Sequence, residues 1–207
     1  HYGVSMAGAV LNSINTRLDA ATIAFILDHG EAKVVIVDKE YGPVMADALA
    51  QAAATPLVVH VDDHLATAGA LIGSVDYDDF WAEGADDPAW PRPADEWQAM
   101  CLNYTSGTTG NPKGVVFHHR GGYLNAIGNA IAFGLDADSR YLWTLPMFHC
   151  NGWTFTWAVT AVMGTHVCLR QVDPAEIFVS IRDNGVTHMC AAPVVLTMLI
   201  HAPAEAK

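Results

Sequence analysis

Short apolar runs rich in β-branched residues alternate along this chain with longer segments of helical pattern. Strand-like runs occupy 33–37 (KVVIV), 56–61 (PLVVHV), 100–104, 115–117, 141–145, 166–169 and 187–190. Helical patterns fill 20–29, 41–53, 75–83, 119–133, 153–163, 174–184 and 193–201 between or beside them. Strands separated by helices pair in parallel, because only a crossover returns the chain to the same end of a sheet. The expected class is therefore α/β, with mostly parallel sheets covered by helices. Local punctuation supports it. Asp19 suits an N-cap and Gly30 a stop, Gly185 a second stop, and Pro174 and Pro193 first helical turns. Residues 84–97 hold Pro88, Pro91, Pro93 and several acids, so a boundary is expected there, between lobes 1–90 and 98–207.

Hydrophobic residues make up 52% of the 207 and charged residues 15%, a balance that suits a folded core and excludes disorder. The formal net charge of −12 excludes broad nucleic-acid binding, which needs a cationic face. Any anionic ligand must be held locally. Cys101, Cys150, Cys168 and Cys190 are widely spaced and form no C-x-x-C pair, which predicts reduced, buried thiols and a cytoplasmic location. His60 and His64 stand four apart, but HVDDH lacks the glutamate of H-E-x-x-H, so no metal site is expected there. Apolar runs such as 191–200 are too short to span a bilayer. The chain opens on His1, and 2–15 already reads as mid-domain, so it reads as a piece of a longer protein.

The densest chemistry lies between two of the strand-like runs. Tyr104-Thr105-Ser106-Gly107-Thr108-Thr109-Gly110-Asn111-Pro112-Lys113-Gly114 joins hydroxyl donors, glycines and one lysine. Glycines let backbone N–H groups converge on a nearby anion, and Lys113 adds a mobile point charge. That donor set fits phosphate. The order Lys113-Gly114 reverses a Walker A ending, no G-x-G-x-x-G occurs, and no G-x-S-x-G frames Ser106. The competing reading is an ordinary Gly/Thr-rich hairpin loop.

YTSGTTGNPKG resembles the phosphate-binding signature of the adenylate-forming superfamily, which includes acyl-CoA synthetases, luciferases and peptide-synthetase adenylation domains. Residues 8–38 and the PMFHCNGW run at 146–153 are similar to the fatty-acyl-CoA ligases of that superfamily, so the resemblance covers nearly the whole chain. It implies that Thr105, Ser106, Gly107, Thr108, Thr109, Gly110 and Lys113 wrap the β- and γ-phosphates of ATP, with Thr108 or Thr109 helping to place Mg²⁺. It implies that His149 lies beside the acyl-adenylate carboxyl, that Gly152 allows close approach and that Trp153 lines the acyl tunnel. Lys113 and His149 would be the catalytic pair. Amino-acid-activating relatives carry Asp where this chain has His149, so a simple carboxylic acid, a fatty acid first, is the implied substrate, with CoA as acceptor. Ala191-Ala192-Pro193 resembles a small-residue wall near the adenine. A homodimer is compatible with the family. Alternatives are a non-catalytic nucleotide-binding module and an aryl-acid or luciferase-like adenylating enzyme. The resemblance places the glutamate that holds Mg²⁺, the ribose-binding aspartate and a catalytic lysine outside these 207 residues, so the isolated chain is expected to have little ligase activity.

Overall fold

The computed structural model describes residues 1–105 and 111–206. Contacts divide the chain into two compact units, one of Tyr2–Ala94 with Ala99–Val116, the other of His1, Asp95–Gln98 and Phe117–Lys207.

The first unit holds helices α1 (Tyr2–Met6) and α2 (Ala20–His29), strand β1 (Val34–Asp38), helix α3 (Gly42–Leu49), strands β2 (Leu57–Val61) and β3 (Val75–Asp76), and helix α4 (Tyr77–Ala82). Strand β4 (Ala99–Tyr104) and the start of β5 (Gly114–His118) complete it and pair as a separate sheet. Strands β1, β2 and β3 run parallel, with Val35 opposite Val58 and Val59 opposite Val75. Alternation along β1 sends Val35 and Val37 onto Ile23 and Leu27 of α2 and Met45 and Ala48 of α3, the period-two pattern of a sheet with one buried face. Asp19 caps α2 through the Thr22 N–H at 2.8 Å, as its position predicts. That bond holds the Asp19 carboxyl below its ordinary pKa.

The second unit continues with α5 (His119–Phe133), β6 (Arg140–Trp143), α6 (Cys150–Ala161), β7 (Thr165–Cys168), α7 (Pro174–Asn184), β8 (His188–Cys190) and α8 (Pro193–Ile200). Its sheet has the order β7-β6-β8, all parallel. Successive β6 side chains face opposite cores. Tyr141 and Trp143 join Ala126 and Ala130 of α5 and Phe155, Ala158 and Val159 of α6. Leu142 instead meets Val167, Ile177 of α7 and Val195 of α8. Helices thus cover both faces, the layering that an all-parallel sheet requires. Gly134 and Gly185 end α5 and α7 at φ 61° and 59°, left-handed positions that cost glycine nothing. The His118 Nδ1 accepts from the Gly121 N–H at 2.9 Å and caps α5.

Several expectations shift. Helix α3 is shorter than 41–53, and α1 carries no clear sequence signal. The strands around the glycine-rich loop pack with the first unit, whereas the expected lobes put them with the second. The reason is a bridge between Leu11 and Cys101: the Leu11 N–H donates to the Met100 carbonyl at 3.0 Å, and the Leu102 N–H to Leu11 at 2.8 Å. Of the thiols, Cys101 is buried, but Cys168 is exposed and Cys190 only half-buried, because short β7 and β8 lie at the sheet edges.

Candidate functional site

Strand β4 delivers Tyr104 and Thr105 to one end of the glycine-rich loop, and Lys113 enters β5 at the other. Two bonds tie these ends. The Thr105 N–H donates to the Lys113 carbonyl at 3.0 Å, and the Lys113 N–H donates to the Thr105 Oγ1 at 3.1 Å. The Thr105 oxygen is thus engaged as an acceptor while its O–H remains a donor. Both residues are exposed, and no described residue pairs with the Lys113 ammonium. A closed loop neck with an outward ammonium and hydroxyl can receive an anion without a buried-charge penalty. Ser106, Gly107, Thr108, Thr109 and Gly110, expected on phosphates, lie outside the described residues. So does Thr108 as the magnesium ligand. Among the described residues no group of three His, Cys, Asp or Glu side chains could hold a metal ion. The donors at the loop neck suit phosphate oxygens rather than a bare cation.

The 146–153 motif sits in the second unit, between β6 and α6. The His149 N–H donates to the Pro146 carbonyl at 3.2 Å, and the His149 carbonyl accepts from the Gly152 and Trp153 N–H groups, each at 2.9 Å. His149 therefore stands at the start of α6 with an exposed side chain. At Gly152 a Cβ would come within 2.5 Å of the Pro146 carbonyl oxygen, so the glycine is required by the turn itself. Trp153 is fully buried, with its ring 4.7 Å from Phe117 and 5.7 Å from Trp157. Its indole N–H has no partner among the described residues. Ala191 and Ala192 are half-buried beside the Leu142 and Val195 core, and Ala192 precedes Pro193 at the N-terminus of α8.

Two further polar clusters escape the sequence reading. The His29 Nδ1 lies 2.8 Å from the Tyr104 hydroxyl, a contact across 75 residues. Its only sequence signal is a histidine in the last turn of a helix. Partial burial pushes the Tyr104 phenol above its ordinary pKa, so it keeps its proton at neutral pH. In the second unit the Trp143 Nε1–H donates to the His166 Nδ1 at 2.9 Å, and the His166 Nε2 lies 2.8 Å from the Thr160 hydroxyl. Accepting at Nδ1 places the imidazole proton on Nε2, facing Thr160.

The peroxisomal acetate/butyrate–CoA ligase of Arabidopsis thaliana is 46% identical, over 99% of this chain and 38% of that relative. An acetate–CoA ligase of Humulus lupulus is 45% identical over the same shares. The chain thus spans well under half the length of these relatives. Among solved structures, the inhibitor-bound N-terminal domain of FACL13 from Mycobacterium tuberculosis superposes with a TM-score of 0.81 at 30% identity, covering 100% of this chain and 49% of that one. The AMP-binding enzyme family matches residues 1–207 from end to end. The chain belongs to the AMP-binding enzyme family.

Proposed function

We propose that the protein carrying this chain is an AMP-forming acid–thiol ligase. A carboxylate attacks the α-phosphorus of ATP, supplied as its magnesium complex, forming acyl-adenylate as pyrophosphate leaves. The CoA thiol then attacks the acyl carbon, gives up its proton, and AMP departs. The observation that carries this reading is the closed loop neck, where one backbone bond and one bond from the Lys113 N–H to the Thr105 hydroxyl oxygen join two exposed residues that carry donors. In this reading Lys113 binds the terminal phosphates and offsets their charge as pyrophosphate separates, a contribution of position and electrostatics. Thr105 and the loop residues Ser106, Gly107, Thr108, Thr109 and Gly110 supply the remaining donors. His149 serves the acyl carboxyl in this reading, the role that the family resemblance implies. Gly152 shapes that turn and Trp153 backs it.

The relatives named for acetate and butyrate favour a short aliphatic acid over the long fatty acid implied by the resemblance. Pyrophosphate exchange by the full-length protein across acetate, butyrate, longer and aromatic acids decides this, and a maximum at long chains would overturn the short-chain assignment. A cytoplasmic location remains part of the proposal, with the peroxisome of the Arabidopsis relative as the alternative. Imaging of the tagged full-length protein separates them. For the phosphate site, Lys113→Ala is expected to weaken ATP about ten- to a hundredfold, the worth of one charge-assisted hydrogen bond. ATP-dependent thermal shifts measure this. Equal shifts in both proteins would remove Lys113 from the site.

A further inference from the structure

His29, in the last turn of α2, contacts Tyr104 at the neck of the glycine-rich loop. Helix α2 is a firm platform. Ile26 and Leu27 are buried, and the Asp28 carboxylate accepts from the Ala53 and Ala54 N–H groups at 3.1 and 2.7 Å. Phe25, one turn earlier, stacks on the His29 ring at 5.3 Å and 24°, which fixes the plane of the imidazole. From that plane the His29 Nδ1 reaches the Tyr104 hydroxyl at 2.8 Å, and the two rings meet edge-on at 5.7 Å.

Tyr104 is held on two further sides. A Cβ at Gly30 would lie 2.9 Å from the Ile26 carbonyl and 3.3 Å from the Tyr104 hydroxyl. Gly30 has φ −85°, so the glycine there serves room rather than backbone conformation, and Glu31 takes the left-handed turn at φ 50°. On the exit side of the loop, a Cβ at Gly114 would lie 2.8 Å from Leu102 and 3.4 Å from the Tyr104 ring. The tyrosine ring therefore sits between the end of α2 and the last residue of the loop. The next residue, Thr105, makes both bonds to Lys113.

We propose that His29 is a positioning residue for ATP. Through the Tyr104 hydroxyl it sets the Thr105–Lys113 neck, and with it the Lys113 ammonium, at the place where the terminal phosphates bind. The inference rests on the phosphate-site reading and adds to it a residue outside the loop. The pair contributes little to folding, because His29 is exposed and the Tyr104 ring keeps its packing without the hydroxyl.

The test is a double-mutant cycle in the full-length protein, using His29→Ala, Tyr104→Phe and the double variant, read by carboxylate-dependent pyrophosphate exchange. Each single variant is expected to raise KM for ATP about three- to tenfold, the span of one neutral hydrogen bond, with kcat near wild type. The double variant should be no worse than either single, because both break one contact. His29→Asn, which returns a polar atom near the Nδ1 position, should recover most of the loss. Melting temperatures should move by no more than about 2–4 °C. Effects on KM that multiply in the double variant would overturn the proposal. So would a fall in kcat and melting temperature with KM unchanged. Lys113→Ala separates the two readings. If it raises KM for ATP while the His29 and Tyr104 variants do not, only the positioning role fails. If it too leaves KM unchanged, both fail together.

Discussion

The indole of Trp153 has no exposed surface and lies against Phe117 and Trp157, so packing is its first duty. Trp153→Ala should cost about 3–5 kcal/mol, the range for emptying an aromatic site in a core. Trp153→Phe should cost far less, since it keeps a ring and removes a buried N–H with no described partner. Urea unfolding measures both, and a near-neutral alanine variant would assign the ring to an acyl wall instead. His166 supports a prediction about pH. Burial holds its imidazole below the ordinary pKa, and its neutral form accepts from Trp143. The unfolded chain therefore takes up this proton first as pH falls. Stability from His166 is complete above the ordinary imidazole pKa of about 6.5 and is lost as pH drops through the depressed folded value. Urea midpoints at pH 7.5 and 5.5 should differ more in wild type than in His166→Gln. Equal differences would detach the pH response from this residue.

At the scale of elements, the caps explain which boundaries could be read. Helices α5 and α7 occupy the spans that the sequence predicts, because each has a side-chain cap before it and a left-handed glycine after it. Asp173 accepts from the Ala175 and Glu176 N–H groups at 2.9 and 3.3 Å. Asp173→Ala should therefore cost about 1 kcal/mol, seen as a lower urea midpoint at unchanged slope. Boundaries went astray where distant groups intervened. Helix α3 begins at Gly42, with Pro43 in its first turn, after a 3₁₀ turn at Lys39–Tyr41. It ends well before residue 53 because the Asp28 carboxylate takes the Ala53 and Ala54 N–H groups out of any helix. Likewise Val75 and Asp76, expected in a helix, pair with Val59 and His60 in the sheet, and α4 starts only at Tyr77.

For the whole molecule, the α/β class, the parallel sheets and the strands on either side of the glycine-rich segment were legible because each depends on residues near one another in the chain. Periodicity and caps are local properties, and so is the order of hydroxyls, glycines and lysine from Thr105 to Lys113, a donor set that suits phosphate. What the loop strands pack against was not legible. It follows from the Leu11–Cys101 bridge, a pairing between segments about ninety residues apart, for which no local pattern exists. The same holds for His29 and Tyr104, and for Trp143 and His166: each partner reads singly as an unremarkable helix-end or core residue. A bond between remote side chains needs both elements packed before either atom comes within reach. The chain alone therefore settled its class and the two strands that flank the glycine-rich segment. Folding alone settled what those strands pack against, which helix end meets Tyr104, and which of the motif residues turn inward as core.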